Sequence, residues 1–262
     1  PALASSRTSA WPRASTAGPD FEMTFFEISR AMPEPPIAES SAPIVVGIRQ
    51  TSSATRTVIV TGPPAFIAAM KKRSVGYIPT LTRVLSLVVY ESTPAFFKDP
   101  FFLRGISVFK EQVDLLSTPA YQQKMRENPQ TKEIKVALAQ GTKNLKLLSD
   151  AGVTIALGTD IGTDEGRWQG YFEQVELEMM AKAGLTPMQV IVAATGAAAQ
   201  VSKLDHVGTI AAGKAADLVV LDANPLQDIL NTRKIHSVWI GGRRLGTIRS
   251  LSCSTSHPLF DP

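Results

Sequence analysis

The stretch Val153-Thr-Ile-Ala-Leu-Gly-Thr-Asp160 constrains this chain more than any other. Four of its first five residues are apolar and two of those are β-branched, the pattern of a strand covered on both faces, as in a parallel sheet. Gly158 and Thr159 carry the backbone out of the sheet, which places Asp160 at the C-terminal end of the strand, where α/β folds put their chemistry. A carboxylate there serves as a helix cap or loop organiser, or as a metal ligand or base. The stretch alone leaves both readings open.

Composition excludes several classes of protein. With 262 residues and 44% hydrophobic content, the chain can bury a sizeable core in one large domain or two small ones. No apolar run approaches the ~18 residues that span a bilayer, so no membrane partner is expected. The single Cys253 allows no internal disulfide and fits a reducing compartment, hence an expected cytoplasmic location. Net charge is only +4 with basic residues scattered, and the densest cluster, Lys71-Lys-Arg73, reads as a solvated helix end. Nucleic acid is therefore not an expected partner.

Residues 1–64 hold half of the 18 prolines and are rich in Ser and Thr, which predicts an irregular or disordered segment over 1–63 with poor order over residues 1–50. Two pieces stand out, a helical turn over Phe21 to Arg30 and a strand over Thr57 to Val60. Arg7 and Arg13 precede the first acidic residue, Asp20, a faint likeness to a transit peptide; the initial Pro reads more simply as a truncated or processed start. From Pro64 the pattern is regular. Phe66, Ile67, Met70 and Val75 recur at helical spacing, and a strand follows over Gly76 to Leu81, with Pro79 marking its end.

Between Glu91 and Phe102 four Phe surround two Pro, a satellite core or a lid over a substrate. Residues 107 to 150 read as helix, stopped by Gly152. Ile161 to Gly170 reads as a flexible, solvated loop, because Asp164 and Glu165 lack the ligand spacing of a calcium loop. A helix over Tyr171 to Ala183 presents Phe172, Val175, Met179 and Ala183, and stops at Gly184. Thr186-Pro-Met-Gln189 is a capping box that starts the next helix, whose Ala193 to Ala199 are small enough to pack closely on a sheet. Asp217 to Asp222 is an apolar strand, Asn224-Pro225 a turn, and Ser237 to Leu245 a hairpin whose Gly241-Gly242 suits a primed turn.

Five motifs occur in order: Leu148 to Asp160, Ala183-Gly-Leu-Thr-Pro-Met188, Ala193-Ala-Thr195, Gly208 to Asp222, and Val238-Trp-Ile-Gly-Gly-Arg-Arg244. Together they resemble the C-terminal half of the amidohydrolase superfamily, closest to its imidazolonepropionase-like and prolidase-like members, over about residues 65–245. The resemblance implies an α/β fold: the C-terminal portion of a TIM-barrel metal-dependent hydrolase plus part of a small β-domain, with a largely irregular N-terminal region. Residues 1–63 are then the unmatched segment, 64–205 the last two strand-helix units, 206–245 part of the β-domain, and 246–262 an irregular tail. A complete barrel takes about 250 residues, and six further units at ~30 residues each would need roughly 180. With 64 residues ahead of the matching region, a fragment or a frame-shifted reading is expected.

The resemblance also implies the chemistry. Family members hold one or two divalent metals, typically zinc, on a His-x-His pair, often a Lys or Glu, two further His and an Asp on the eighth strand. The metal lowers the pKa of a bound water that attacks an amide or related C–N bond. Only Asp160 matches, as both metal ligand and proton-accepting catalytic residue. His206, His236 and His257 lie in no ligand motif, and Cys253 with nearby His257 makes a poor hydrolase pair. The expectation is a small-molecule amide or cyclic amide substrate for the parent, and no zinc retained by this chain. Two functions stay open: a hydrolase of a non-peptide or dipeptide C–N bond, incomplete and inactive as it stands, or a non-catalytic remnant that packs against or binds protein. Uncovered strand edges predict self-association.

Overall fold

The computed structural model describes residues 43–51, 54–61, 64–162 and 165–246. Within the larger apolar core, two extended segments, 75–80 and 153–159, run side by side and parallel. The Tyr77 N–H donates to the Thr154 carbonyl at 2.8 Å, and the Ala156 N–H to the Tyr77 carbonyl at 3.0 Å. The sequence predicts a strand in each stretch, but the ladder between them is a single pair, Tyr77 with Ile155. Leu81 does not end the strand, as the sequence suggested. Pro79 has no N–H to extend the ladder and Thr80 turns to φ 44°, so Leu81 opens a helix. The two segments approach so closely at Gly158 that a Cβ there would sit 2.5 Å from the Ile78 Cγ2.

Helices close around this pair because their apolar residues recur at helical spacing. Met70 comes from α1 (Pro64–Lys72), and Leu81 from α2 (Leu81–Leu85). Two short turns lead to α3 (Pro100–Leu103) and α4 (Ile106–Leu116), then α5 (Pro119–Glu127) and α6 (Thr131–Asp150), which contributes Leu145 and Leu148. The helix expected over 107 to 150 is thus three helices. Thr118 caps α5 with Pro119 at its first position, and Asn128 is forced extended by Pro129. Leu177 and Met180 come from α7 (Phe172–Lys182), Val190 and Ala193 from α8 (Pro187–Ala194), and α9 (Gly196–Val201) follows after Thr195. The predicted capping box of α8 is present, with Thr186 accepting from the Gln189 N–H and Gln189 from that of Thr186. Burial of each such Leu or Val contributes about 1.5–3 kcal/mol.

A second core is aromatic. Tyr90, Phe97, Phe102, Trp168, Tyr171 and Phe172 pack with Leu116, and Phe97 stacks on Phe102 at 5.3 Å between centroids. Of the two readings of the Phe-rich stretch, the satellite core holds, because its rings turn inward and meet α7. The loop after Asp160 is correspondingly not a solvated loop throughout: Trp168 is 0% exposed within this cluster. Asp164 lies outside the described residues.

The last part is an antiparallel sheet in the order β3 (Leu218–Leu221), β4 (Ile235–Ile240), β5 (Arg243–Arg244). Gly241 (φ 55°) and Gly242 (φ 75°) make the predicted primed turn, which needs positive φ at both positions. β1 (Pro43–Thr51) and β2 (Ala54–Thr61) pair antiparallel, so the segment expected to be irregular over 1–63 contains a ribbon over 43–61. Its runs of Val, Ile and Thr favour strand. The helical turn at Phe21 to Arg30 and the tail from 247 to 262 lie outside the described residues. No helix among the described residues is long and apolar enough to cross a membrane.

Candidate functional site

Asp160 ends the second extended segment in a left-handed conformation, φ 51°, which few non-glycine residues adopt. Its carboxylate is 64% exposed, and Oδ2 lies 3.5 Å from Nε of Arg83, on α2 after the neighbouring segment. Arg167 Nη1 donates to the Asp160 carbonyl at 3.5 Å. The two segment ends are thus joined by a guanidinium from one and a carboxylate from the other.

What sets α2 in place is Glu176, fully buried on α7. Its Oε1 accepts from the Leu81 N–H at 2.9 Å, and its Oε2 accepts from the N–H and the hydroxyl of Thr82, each at 2.7 Å. The Thr82 hydroxyl also lies 3.5 Å from the Thr159 carbonyl, so the capped turn touches both segments. A carboxylate suits the N-terminal end of a helix, whose first N–H groups have no partner within the helix. Burial raises the Glu176 pKa, and the three donors oppose that shift without cancelling it. Tyr77 is pushed up to about 12, first by burial and then by the charge of Glu176.

Sequence reading missed Glu176. It placed Phe172, Val175, Met179 and Ala183 on the inward face of α7, whereas the fully buried line is Phe172, Glu176 and Met180. A usable signal existed: Glu176 is four residues from both Phe172 and Met180, so it shares their face.

His206 and His236 are exposed, and His236 Nδ1 lies 2.9 Å from Asp222 Oδ1 on the small sheet. His257 and Cys253 lie outside the described residues. Among the described residues, no three or more His, Cys, Asp or Glu converge as metal ligands would. The described residues around Asp160 do not fit a catalytic divalent metal: the charged group paired with its carboxylate is a cation, and a zinc site needs several convergent ligands.

The fold and these two segment ends define an α/β protein with a carboxylate at the C-terminal tip of a parallel pair. The Amidohydrolase family matches residues 102–245, more than half of the chain, and the chain belongs to that family. Ochratoxinase of Aspergillus niger is 37% identical over 100 residues, 36% of this chain and 19% of that protein. Imidazolonepropionase of Deinococcus deserti is 31% identical over 102 residues, 37% of this chain and 25% of that protein. The matches span about a fifth to a quarter of these relatives' length. Among solved structures, A. niger ochratoxinase is 23% identical over 70% of this chain and 34% of its own, with a TM-score of 0.47. A Xaa-Pro dipeptidase with bound methionine is 22% identical over 70% and 37%, with a TM-score of 0.45.

Proposed function

We propose that this chain is the C-terminal portion of a metal-dependent amidohydrolase barrel with part of its small β-domain, and that the complete parent hydrolyses a non-peptide or dipeptide C–N bond of a small amide or cyclic amide. Residues 64–205 correspond to the last two strand-helix units and 206–245 to the β-domain part. Asp160 is the parent's catalytic and metal-binding carboxylate. The observation that carries the reading is its position at the tip of a parallel pair inside the matched family region. Ochratoxinase and imidazolonepropionase, the curated relatives, bear names of hydrolases of this kind. The single cysteine supports a reducing, cytoplasmic setting.

By itself the chain is non-catalytic. A second reading, a module that packs against protein, is favoured by the exposed Ile78, Val219 and Ile240. Zinc analysis after dialysis, with assays on N-acyl amino acids, dipeptides and imidazolones, tests both. No retained zinc and no turnover are expected; one equivalent of zinc with turnover abolished by Asp160→Asn would overturn the inactive reading.

A further inference from the structure

We propose that in this chain the Asp160 carboxylate is neutralised by the Arg83 guanidinium, so that an arginine from the neighbouring segment stands where a metal site would bring its cation. The charges are 3.5 Å apart, and the two side chains are unequally placed: Arg83 is 15% exposed and Asp160 64%. The cation is therefore the packed member of the pair, and the carboxylate reaches to it. Arg83 is also held at its root. Leu81 and Thr82, the residues just before it, give three hydrogen bonds to the buried Glu176, which ties the first turn of α2 to α7. Thr80 and Asp160 both take left-handed conformations, so the first segment turns three residues before Arg83 and the second turns at Asp160 itself. A guanidinium and a metal ion compete for the same carboxylate oxygens, and like charges side by side disfavour the second.

The inference rests on Asp160 occupying the family's site position, yet its test needs neither metal nor turnover. The full chain is carried through a double-mutant cycle of Arg83→Met and Asp160→Asn, read by urea unfolding at low salt and at ~1 M salt. Arg83→Met is expected to raise the unfolding equilibrium constant about two- to fivefold more when Asp160 is present than in the Asp160→Asn background. High salt removes most of that difference. If Arg83→Met does not fold, Arg83→Gln and Arg83→Lys take its place, Lys retaining part of the coupling. Equal effects in both backgrounds would overturn the proposal. A parent that proves metal-free would defeat the functional reading while leaving this coupling in place.

Discussion

Glu176 joins three parts of the molecule through one carboxylate: the body of α7, the first turn of α2 and, by way of Thr82, the end of the central segment. Truncating it leaves two backbone N–H groups buried without an acceptor, each such loss costing about 1–3 kcal/mol, and leaves the Thr82 hydroxyl with only the Thr159 carbonyl at 3.5 Å. Glu176→Ala is thus expected to destabilise the chain by about 3 kcal/mol or more, measured by urea unfolding. Tyr77 contributes a pH dependence of definite sign. Its pKa rises from 10.0 in the unfolded chain to about 12 when folded, so its contribution is fully present below pH 10 and is lost as pH rises through about 12. Stability is expected to fall across that window by at most ~3 kcal/mol, and Tyr77→Phe should flatten that part of the curve. Tyr90 and Tyr171, also raised by burial, keep the remainder of the alkaline loss.

Between elements, the chief polar contact is Arg233, at the end of the 3-10 turn Ile229–Arg233 that leads into β4. Its Nη1 donates to Asp99 and its Nη2 to Glu178, both at 2.8 Å, and its guanidinium lies 5.4 Å from the centre of the Tyr171 ring. Tyr171 in turn donates to Asp99 at 2.9 Å, and Asp99 caps α3. One arginine therefore clasps the start of the small sheet to α7 and to the aromatic core. With all three charged side chains mostly covered, Arg233→Met removes the cation that Asp99 and Glu178 share. The expected cost is about 2 kcal/mol, below the 3–5 kcal/mol of fully buried pairs because water still reaches these groups. Hydrogen exchange should speed up first over residues 229–240.

At the scale of the whole molecule, apolar surface meets solvent where strand edges end. β3 is an edge strand of four apolar residues, and Val219 and Val220 are exposed on it, as is Ile240 on β4. An unprotected apolar edge pairs with other chains, and a lysine placed on it opposes that pairing. Val219→Lys is accordingly expected to lower the weight-average mass in sedimentation at micromolar concentration while leaving the melting transition of the helical core unchanged. An unchanged mass would show that the β3 edge does not mediate self-association.

The sequence by itself determined the local elements whose signals are short-ranged. The capping box at Thr186, the helix stop at Gly152 and the Gly241-Gly242 turn are each written in a few adjacent residues and each forms as read, whereas the apolar run before Asp160, read as a strand, makes a ladder of one pair. Proline breaks near Thr118 and Asn128 were equally local and legible, yet a helical pattern on both sides concealed them. Tertiary structure alone decided what depends on distant partners. Glu176 is charged in isolation and becomes a buried cap only because the first turn of α2, some 95 residues earlier, brings unpaired N–H groups to it. Likewise the Phe-rich stretch is core because Trp168 and α7 supply the opposing faces, and Asp160 gains an arginine through a helix that periodicity did not reveal. A side chain's burial and charge balance are set by neighbours far along the chain, and only folding brings those neighbours together.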